Sequence, residues 1–451
     1  PKASRGICGA DANAIAGRNY LRFVAGGSAA HSDHGREICH TLHATRAEGP
    51  YTIKDEKKLI SLAQEWDIAT DGRDIYEIAH EVALVGLEEY GKPFGTLRFL
   101  ERATPERQKI WIDNEIAPRA IDREVTQSLH MTHMGNTSDP EVLVKQSLRT
   151  GMADGWGGSM MGTEFSDILF GTPTPKDTEG NLGVLEKEMV NIAVHGHDPA
   201  MSEMVVLAAE LPEMIEYARS KGAKGINIVG LCCTANEVAM RHGIRMAGNF
   251  LQQENAILTG AVELMVVDVQ CIFPALQPLS ECFHTKFVTT SEIARITNAI
   301  HIRFSAEKAF EQGKDIVKMA IDNFENRKKD KVYIPENKQQ ATVGYSCETI
   351  IKCLDGVTNS HVDIRETYKP LIECVKAGVI RGAVAIVGCN NPKVRPDYSH
   401  IEIMKELLAN DIIIVASGCS AQAASKAGLL GRGAKDICGA GLKRVCELVN
   451  I

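Results

Sequence analysis

Five short apolar runs in this chain each end on a residue that can bind a soft metal. MVNIAVHGH closes on His197, GINIVGLCC on Cys233, ELMVVDVQC on Cys271, GAVAIVGC on Cys389 and DIIIVASGC on Cys419. Each run has the length and the β-branched content of a strand buried on both faces of a parallel sheet. Ligands of open parallel sheets sit beyond the carboxyl ends of the strands. A strand end delivers one side chain to a fixed point, with a short loop around it. Gly196, Gly230, Gly388 and Gly418 stand one to three residues before four of these ligands. Glycine at such places lets backbone pass close to a bulky group.

One Cys after a strand is more often packing, and a lone His is more often a satisfied core or surface residue. Five repeats of the same arrangement shift that balance. One imidazole and four thiolates form a soft donor set, suited to iron–sulfur, zinc or nickel. The spacing is not a paired CxxC pattern. Ligands spread over more than 200 residues imply a large cluster wedged between domains.

With 451 residues, the chain is too long for one ordinary core, and two or three domains are expected. A 5% aromatic content gives little stacking surface for single-stranded nucleic acid, and a net charge of −8 disfavours a phosphate-tracking partner. No apolar run of membrane-spanning length and no signal region is seen, so a cytoplasmic location is expected, with a peripheral site at the inner membrane left open. Thirteen cysteines, an odd number scattered through a long chain, point to a reducing compartment.

The first third reads as helical. KKLISLAQEWDIA, RDIYEIAHEVALVGLEEY and EVLVKQSLRTGMADG carry apolar residues at helical spacing, and Asp139 before Pro140 predicts a helix start. A turn-rich stretch over 171–183 breaks the pattern. Apolar runs then alternate with helical segments, the texture of a parallel α/β sheet. The charged stretch 325–337 reads as a boundary. The expected organisation is α/β: a helical domain over 1–175, then two Rossmann-like parallel-sheet domains over 176–330 and 331–451, with the metal site between them.

The segments VHGHDPAMSE, GINIVGLCCTANEVAMRHGI, VVDVQCIFPAL, VGCNNPK and VASGCSAQAA, with DILFGTPTP, TEGNLGVL and ICGADANAIAGRN, resemble the anaerobic nickel–iron–sulfur carbon monoxide dehydrogenases. The resemblance covers essentially the whole chain. It implies an oxidoreductase that interconverts CO and water with CO2, two protons and two electrons at a Ni–Fe–S cluster. By motif, His197 and Cys233 would bind an outlying iron, and Cys271, Cys389 and Cys419 the three irons of the cubane part. Cys8 would be one ligand of an electron-transfer [4Fe–4S] cluster. Its three partners, a nickel-binding Cys and a catalytic Lys are expected outside these 451 residues. The resemblance also implies a homodimer, a ferredoxin-like electron acceptor and, in some relatives, an acetyl-CoA synthase. Cys232 is expected to pack beside the cluster. Cys39, Cys282, Cys347, Cys353 and Cys374 are read as buried small residues.

HSDHGREICHTLH reads as a helix bearing His31, His34, His40 and His43, with Glu37 completing the three-residue steps. Each step turns about 300°, so the row drifts slowly around the axis. Imidazole titrates near neutrality and suits proton transfer, although a polar row is otherwise usually a solvated face. The resemblance assigns His31 as acid/base, with His34, Glu37 and His40 as a proton relay. Two other readings remain open on the residues alone. One is a hybrid-cluster protein with hydroxylamine reductase activity, which would hold iron without nickel. The other is a non-catalytic metal-binding or assembly protein.

Overall fold

The structure, a computed structural model, describes residues 4–358 and 368–449. The chain divides into two compact units, Pro1–Gly171 and Thr172–Ile451. The first is helical around the long helix Ala12–His43. Asp11 caps that helix by accepting from the Ala14 N–H, and Ala14, Leu21, Ala25, Ile38 and Leu42 line its buried stripe. The expected start at Asp139 is present: its carboxylate accepts the N–H groups of Glu141 and Val142. That helix, Pro140–Ala153, runs through a π-helical turn at Asp154–Gly158 into the helix Ser159–Phe170. The turn lies against the long helix. A Cβ on Gly158 would stand 2.9 Å from the backbone of His31 and Ser32, so only glycine permits the approach.

The second unit is built on an eight-stranded sheet: β1 (Lys176–Gly180), β2 (Val190–Gly196), β3 (Ile226–Leu231), β4 (Arg245–Gly248), β5 (Val262–Val267), β6 (Lys286–Thr289), β7 (Ile300–His301) and β8 (Gln339–Val343). Their order is β7-β6-β5-β2-β3-β4-β1-β8, parallel throughout except for the antiparallel pair β1–β8. Strands β2 to β7 follow the doubly wound order, and the winding reverses between β2 and β5. β2 and β5 are buried along their whole length. Apolar clusters cover both faces, one around Val194, Val205, Val266 and Ile316 and the other around Ala193, Val229, Val267 and Phe287.

Two features differ from the sequence reading. β1 lies within the stretch read as turns, because KDTEG carries no apolar alternation and its pairing to β4 and β8 does the work. Residues 331–451 place β8 in the large sheet, while β9 (Gly382–Ile386) and β10 (Ile412–Ala416) form a separate two-stranded parallel sheet. Among the described residues no helix is long and apolar enough to cross a membrane.

Candidate metal centre

His197 follows β2, Cys232 and Cys233 follow β3, and Cys271 follows β5 by a short loop. All stand at carboxyl ends beside the point where the winding reverses, where such sheets bind ligands. Cys389 and Cys419 occupy the equivalent ends of β9 and β10. The ligand atoms of His197, Cys232 and Cys271 lie within 4.8 Å of one another, with Cys271 Sγ 4.0 Å from His197 Nε2. Cys232, Cys419 and Phe250 form one buried cluster, with Cys233, Cys271, Leu251 and Phe273 packed on it. Cys389 joins through its thiol, which interacts with those of Cys271 and Cys419. All five residues expected as cluster ligands are therefore neighbours in one site.

The electrostatics follow from crowding sulfurs together. Hydrogen bonds from the Cys271 and Cys419 thiols pull Cys389 down to about 3. Those of Cys233, Cys271 and Cys419 hold Cys232 well below the ordinary thiol range. The donors move the other way. Cys271 and Cys419 are pushed up by their bonds to Cys232 and Cys389 and by burial, and Cys233 by its bond to Cys232 and by burial. Like charges this close share protons, and full ionisation of the set requires a multivalent cation among them. The donor chemistry, one imidazole with clustered thiols, fits an iron–sulfur centre that also holds nickel.

The backbone around the ligands is unusual and braced. Gln270 (φ 65°), Cys271 (φ 59°) and Cys232 (φ 59°) are in the left-handed region, costly for non-glycine residues and concentrated at functional sites. Asp268 accepts the His197 N–H at 2.7 Å, the Thr234 hydroxyl at 3.3 Å and the Val269 N–H. Burial, and then Asp198, push its carboxyl well above the usual range. His197 Nδ1 lies 3.2 Å from the Val269 carbonyl, so Nδ1–H donates there and the lone pair is on Nε2, facing Cys271. Asn236 donates to the Gly418 carbonyl at 3.1 Å and accepts from Gln422 at 2.6 Å, tying the Cys419 loop to the helix that starts at Cys232.

The histidine row is helical as expected. His31 and His34 are half-buried, Glu37 and His40 exposed, as the slow drift of the row requires. His31 Nδ1 is 2.8 Å from Asp154 Oδ1, which also accepts the Ser159 hydroxyl at 2.8 Å. The His34 ring lies over Gly162. Cys8 is exposed in the turn before the long helix, its thiol pulled down chiefly by a hydrogen bond to the Ala10 backbone. Of the five cysteines read as buried, only Cys39 is fully so. Cys282, Cys347 and Cys353 are exposed and Cys374 partly so, because each lies on a short helix with one face toward solvent.

Sequence reasoning missed two contributors. Cys232, expected to pack beside the cluster, does lie there, its sulfur within 4.8 Å of the ligand atoms of His197 and Cys271. Asp154 had one faint mark, the glycine-rich DGWGG that interrupts a helical texture. Asp268 lies inside the VVDVQC segment, a carboxylate in an otherwise apolar run.

The sequence matches the Prismane/CO dehydrogenase family over residues 2–448. It is 48% identical to carbon monoxide dehydrogenase 1 of Methanosarcina mazei, over all of this chain and 70% of that protein. It is 42% identical to the carbon monoxide dehydrogenase of Rhodospirillum rubrum, over 99% of this chain and 70% of that one. A nickel-free crystal structure of carbon monoxide dehydrogenase from Thermococcus sp. AM4 superposes with a TM-score of 0.94 at 47% identity, covering all of this chain and 70% of that one.

Proposed function

Because the chain belongs to the Prismane/CO dehydrogenase family, we propose that it catalyses the reversible oxidation of CO with water to CO2, two protons and two electrons. The observation that carries this reading is the meeting of His197 with the thiols of Cys271, Cys389 and Cys419 and of the Cys232–Cys233 pair. His197, Cys233, Cys271, Cys389 and Cys419 would hold a Ni–Fe–S cluster, with Cys232 close enough to serve as a further ligand. When bound, such a cluster supplies Lewis-acid activation of water and storage of electrons.

The chain's own residues supply orientation and proton handling. The Val269 carbonyl fixes the tautomer of His197. Asp154 fixes the ring of His31, holding the proton on Nδ1 and leaving Nε2 as the basic nitrogen. His31 would then accept the proton released from water, and His34, Glu37 and His40 would pass it outward. Cys8, an exposed thiol of lowered pKa, is suited to hold an iron of an electron-transfer [4Fe–4S] cluster. Electrons would leave to a ferredoxin-like acceptor, from a homodimer in the cytoplasm. A structural relative at 40% identity and TM-score 0.94 is an acetyl-CoA synthase/carbon monoxide dehydrogenase, which supports that synthase as a partner. We also propose that residues 331–451 form a third domain that lends β8 to the large sheet.

The test is nickel and iron content of anaerobically prepared protein, with CO-dependent viologen reduction. His197→Ala and Cys271→Ala should each abolish reduction. Iron without nickel would favour hydroxylamine reductase chemistry, and wild-type rates in the variants would refute the ligand assignment.

A further inference from the structure

One buried charge pair stands beside the same sulfurs and is used by nothing described so far. Lys426 Nζ lies 2.5 Å from Asp397 Oδ2, and the two side chains are only 9% and 11% exposed. Lys426 ends the helix Gly418–Lys426, which carries Cys419 in its first turn. Asp397 ends the loop that begins at Cys389.

The pair is wired to the loops that carry the ligands. Asp397 Oδ1 accepts the side-chain N–H of Asn390, next to Cys389, at 2.7 Å, and that of Asn249 at 2.9 Å. The Asp397 N–H donates back to Asn390 Oδ1 at 3.0 Å. Lys426 donates to Gln252 Oε1 at 2.7 Å, and the same oxygen accepts the Asn249 N–H at 3.1 Å. Between Asn249 and Gln252 lie Phe250 and Leu251, both in the cluster with Cys232, Cys271 and Cys419. Asp397 also adopts the left-handed φ of 64°, a strained conformation for a non-glycine residue.

A buried ion pair contributes little stability over an apolar pair of the same size, so its presence calls for another use. Burial pulls the Lys426 ammonium below the ordinary lysine pKa, and Asp397 opposes that; Cys419 also interacts with it. At low local dielectric each member of the pair acts separately on charge held nearby.

We propose that Lys426 and Asp397 are positioning residues of the metal centre: Asp397 fixes the Cys389 loop, and Lys426 provides a buried positive charge that offsets the thiolates and raises the reduction potential of whatever cluster they hold. This inference rests on the cluster reading above. Lys426→Gln removes the cation and leaves a buried carboxylate, so reduction becomes harder. Asp397→Asn leaves the cation, so reduction becomes easier.

The experiment is potentiometric titration of the anaerobic holoprotein, followed by electron paramagnetic resonance, with metal counted for each variant. Lys426→Gln should lower the midpoint by about a tenfold change in the reduction equilibrium, which is 59 mV for one electron. Asp397→Asn should raise it by a similar amount, and the double variant should return near wild type. Shifts of the two single variants in the same sense, or no shift in either, would overturn the inference. Where a single variant loses its cluster, the double variant decides: recovery supports the pair, and continued loss overturns it. Wild-type protein that holds neither nickel nor iron would overturn the cluster reading instead.

Discussion

His197 donates from Nδ1 to the Val269 carbonyl at 3.2 Å, so its Nε2 is the nitrogen presented to the sulfurs. That geometry depends on the residue before it. Gly196 has φ 136°, and a Cβ there would fall 1.8 Å from Asp268 Oδ1. Gly196→Ala therefore combines a forbidden backbone conformation with the loss of the carboxylate that holds the His197 N–H. We expect a stability loss of about 3 kcal/mol, the upper end for backbone strain, and loss of bound metal. A lowered urea midpoint at unchanged m-value would register the first, and iron content the second.

Asp154 orients His31 through its Nδ1, and Ser159 shares the same oxygen. His31→Ala should lower CO oxidation by about 10²–10⁴-fold, the range for loss of a general base. Asp154→Asn keeps the shape and an acceptor oxygen but removes the charge that favours a protonated His31, and about 10–100-fold is expected, as for other groups that orient a functional histidine. Neither change should alter iron content. Parallel losses of iron and rate would show that these residues act on assembly rather than proton transfer.

The parts of the site that were legible in the sequence are those with local signatures. Parallel strands announce themselves as apolar runs, and a Cys or His at the end of each is visible by eye. Burial follows the expectation in β2, β3 and β5 but not in β9 and β10, which pair only with each other and stay half-exposed. β1 leaves no local mark because a strand of Lys, Asp, Thr, Glu and Gly has no period to detect, although it is paired on both sides. How closely the Cys232 sulfur approaches His197 and Cys271 has no local signature, because adjacent residues normally point apart and here a left-handed φ of 59° sets the direction. The partnership of Asp154 with His31 spans 123 positions, and the glycine-rich DGWGG marks a special turn without naming the residue it meets. Contacts of that kind are set by how helices pack, here by a π-helical turn against the long helix.

Stability of the helical unit should carry a distinct acid limb. Glu124 is fully buried; burial alone would raise its pKa, but the Arg119 guanidinium, the Arg119 N–H and the Gln146 amide outweigh that and hold it below the ordinary 4.5. A depressed carboxyl contributes stability above its unfolded pKa and loses it as pH falls through the folded one. Glu124→Gln should cost about 3 kcal/mol at neutral pH, because the partly buried Arg119 loses its partner. It should also flatten the fall in stability below pH 4.5. Denaturation curves at a series of pH values, followed on both proteins, would show whether the wild-type slope disappears.

Gln253 uses its whole amide. Nε2 donates to the carbonyls of Cys271 at 2.9 Å and Phe250 at 2.7 Å, while Oε1 accepts from the Phe273 N–H at 3.1 Å and from His195 Nε2 at 2.9 Å. The residue is fully buried, so no water can replace it. Gln253→Leu keeps most of the volume and leaves three polar groups unpaired, the Cys271 carbonyl, the Phe273 N–H and His195 Nε2, each worth about 1–3 kcal/mol and not additive, while the Phe250 carbonyl keeps the backbone N–H of residue 253. We expect at least ~3 kcal/mol lost, with the strained Cys271 turn released and less metal retained. Gln253→Glu separates packing from hydrogen bonding, since a carboxylate has the shape but no donor. A buried Glu has a raised pKa, so this variant should lose stability as pH rises above about 4.3 and level off above the raised value. On acidification its protonated form regains one donor and part of the loss. A Gln253→Glu protein with wild-type stability at neutral pH would mean that the Cys271 turn is held by packing alone.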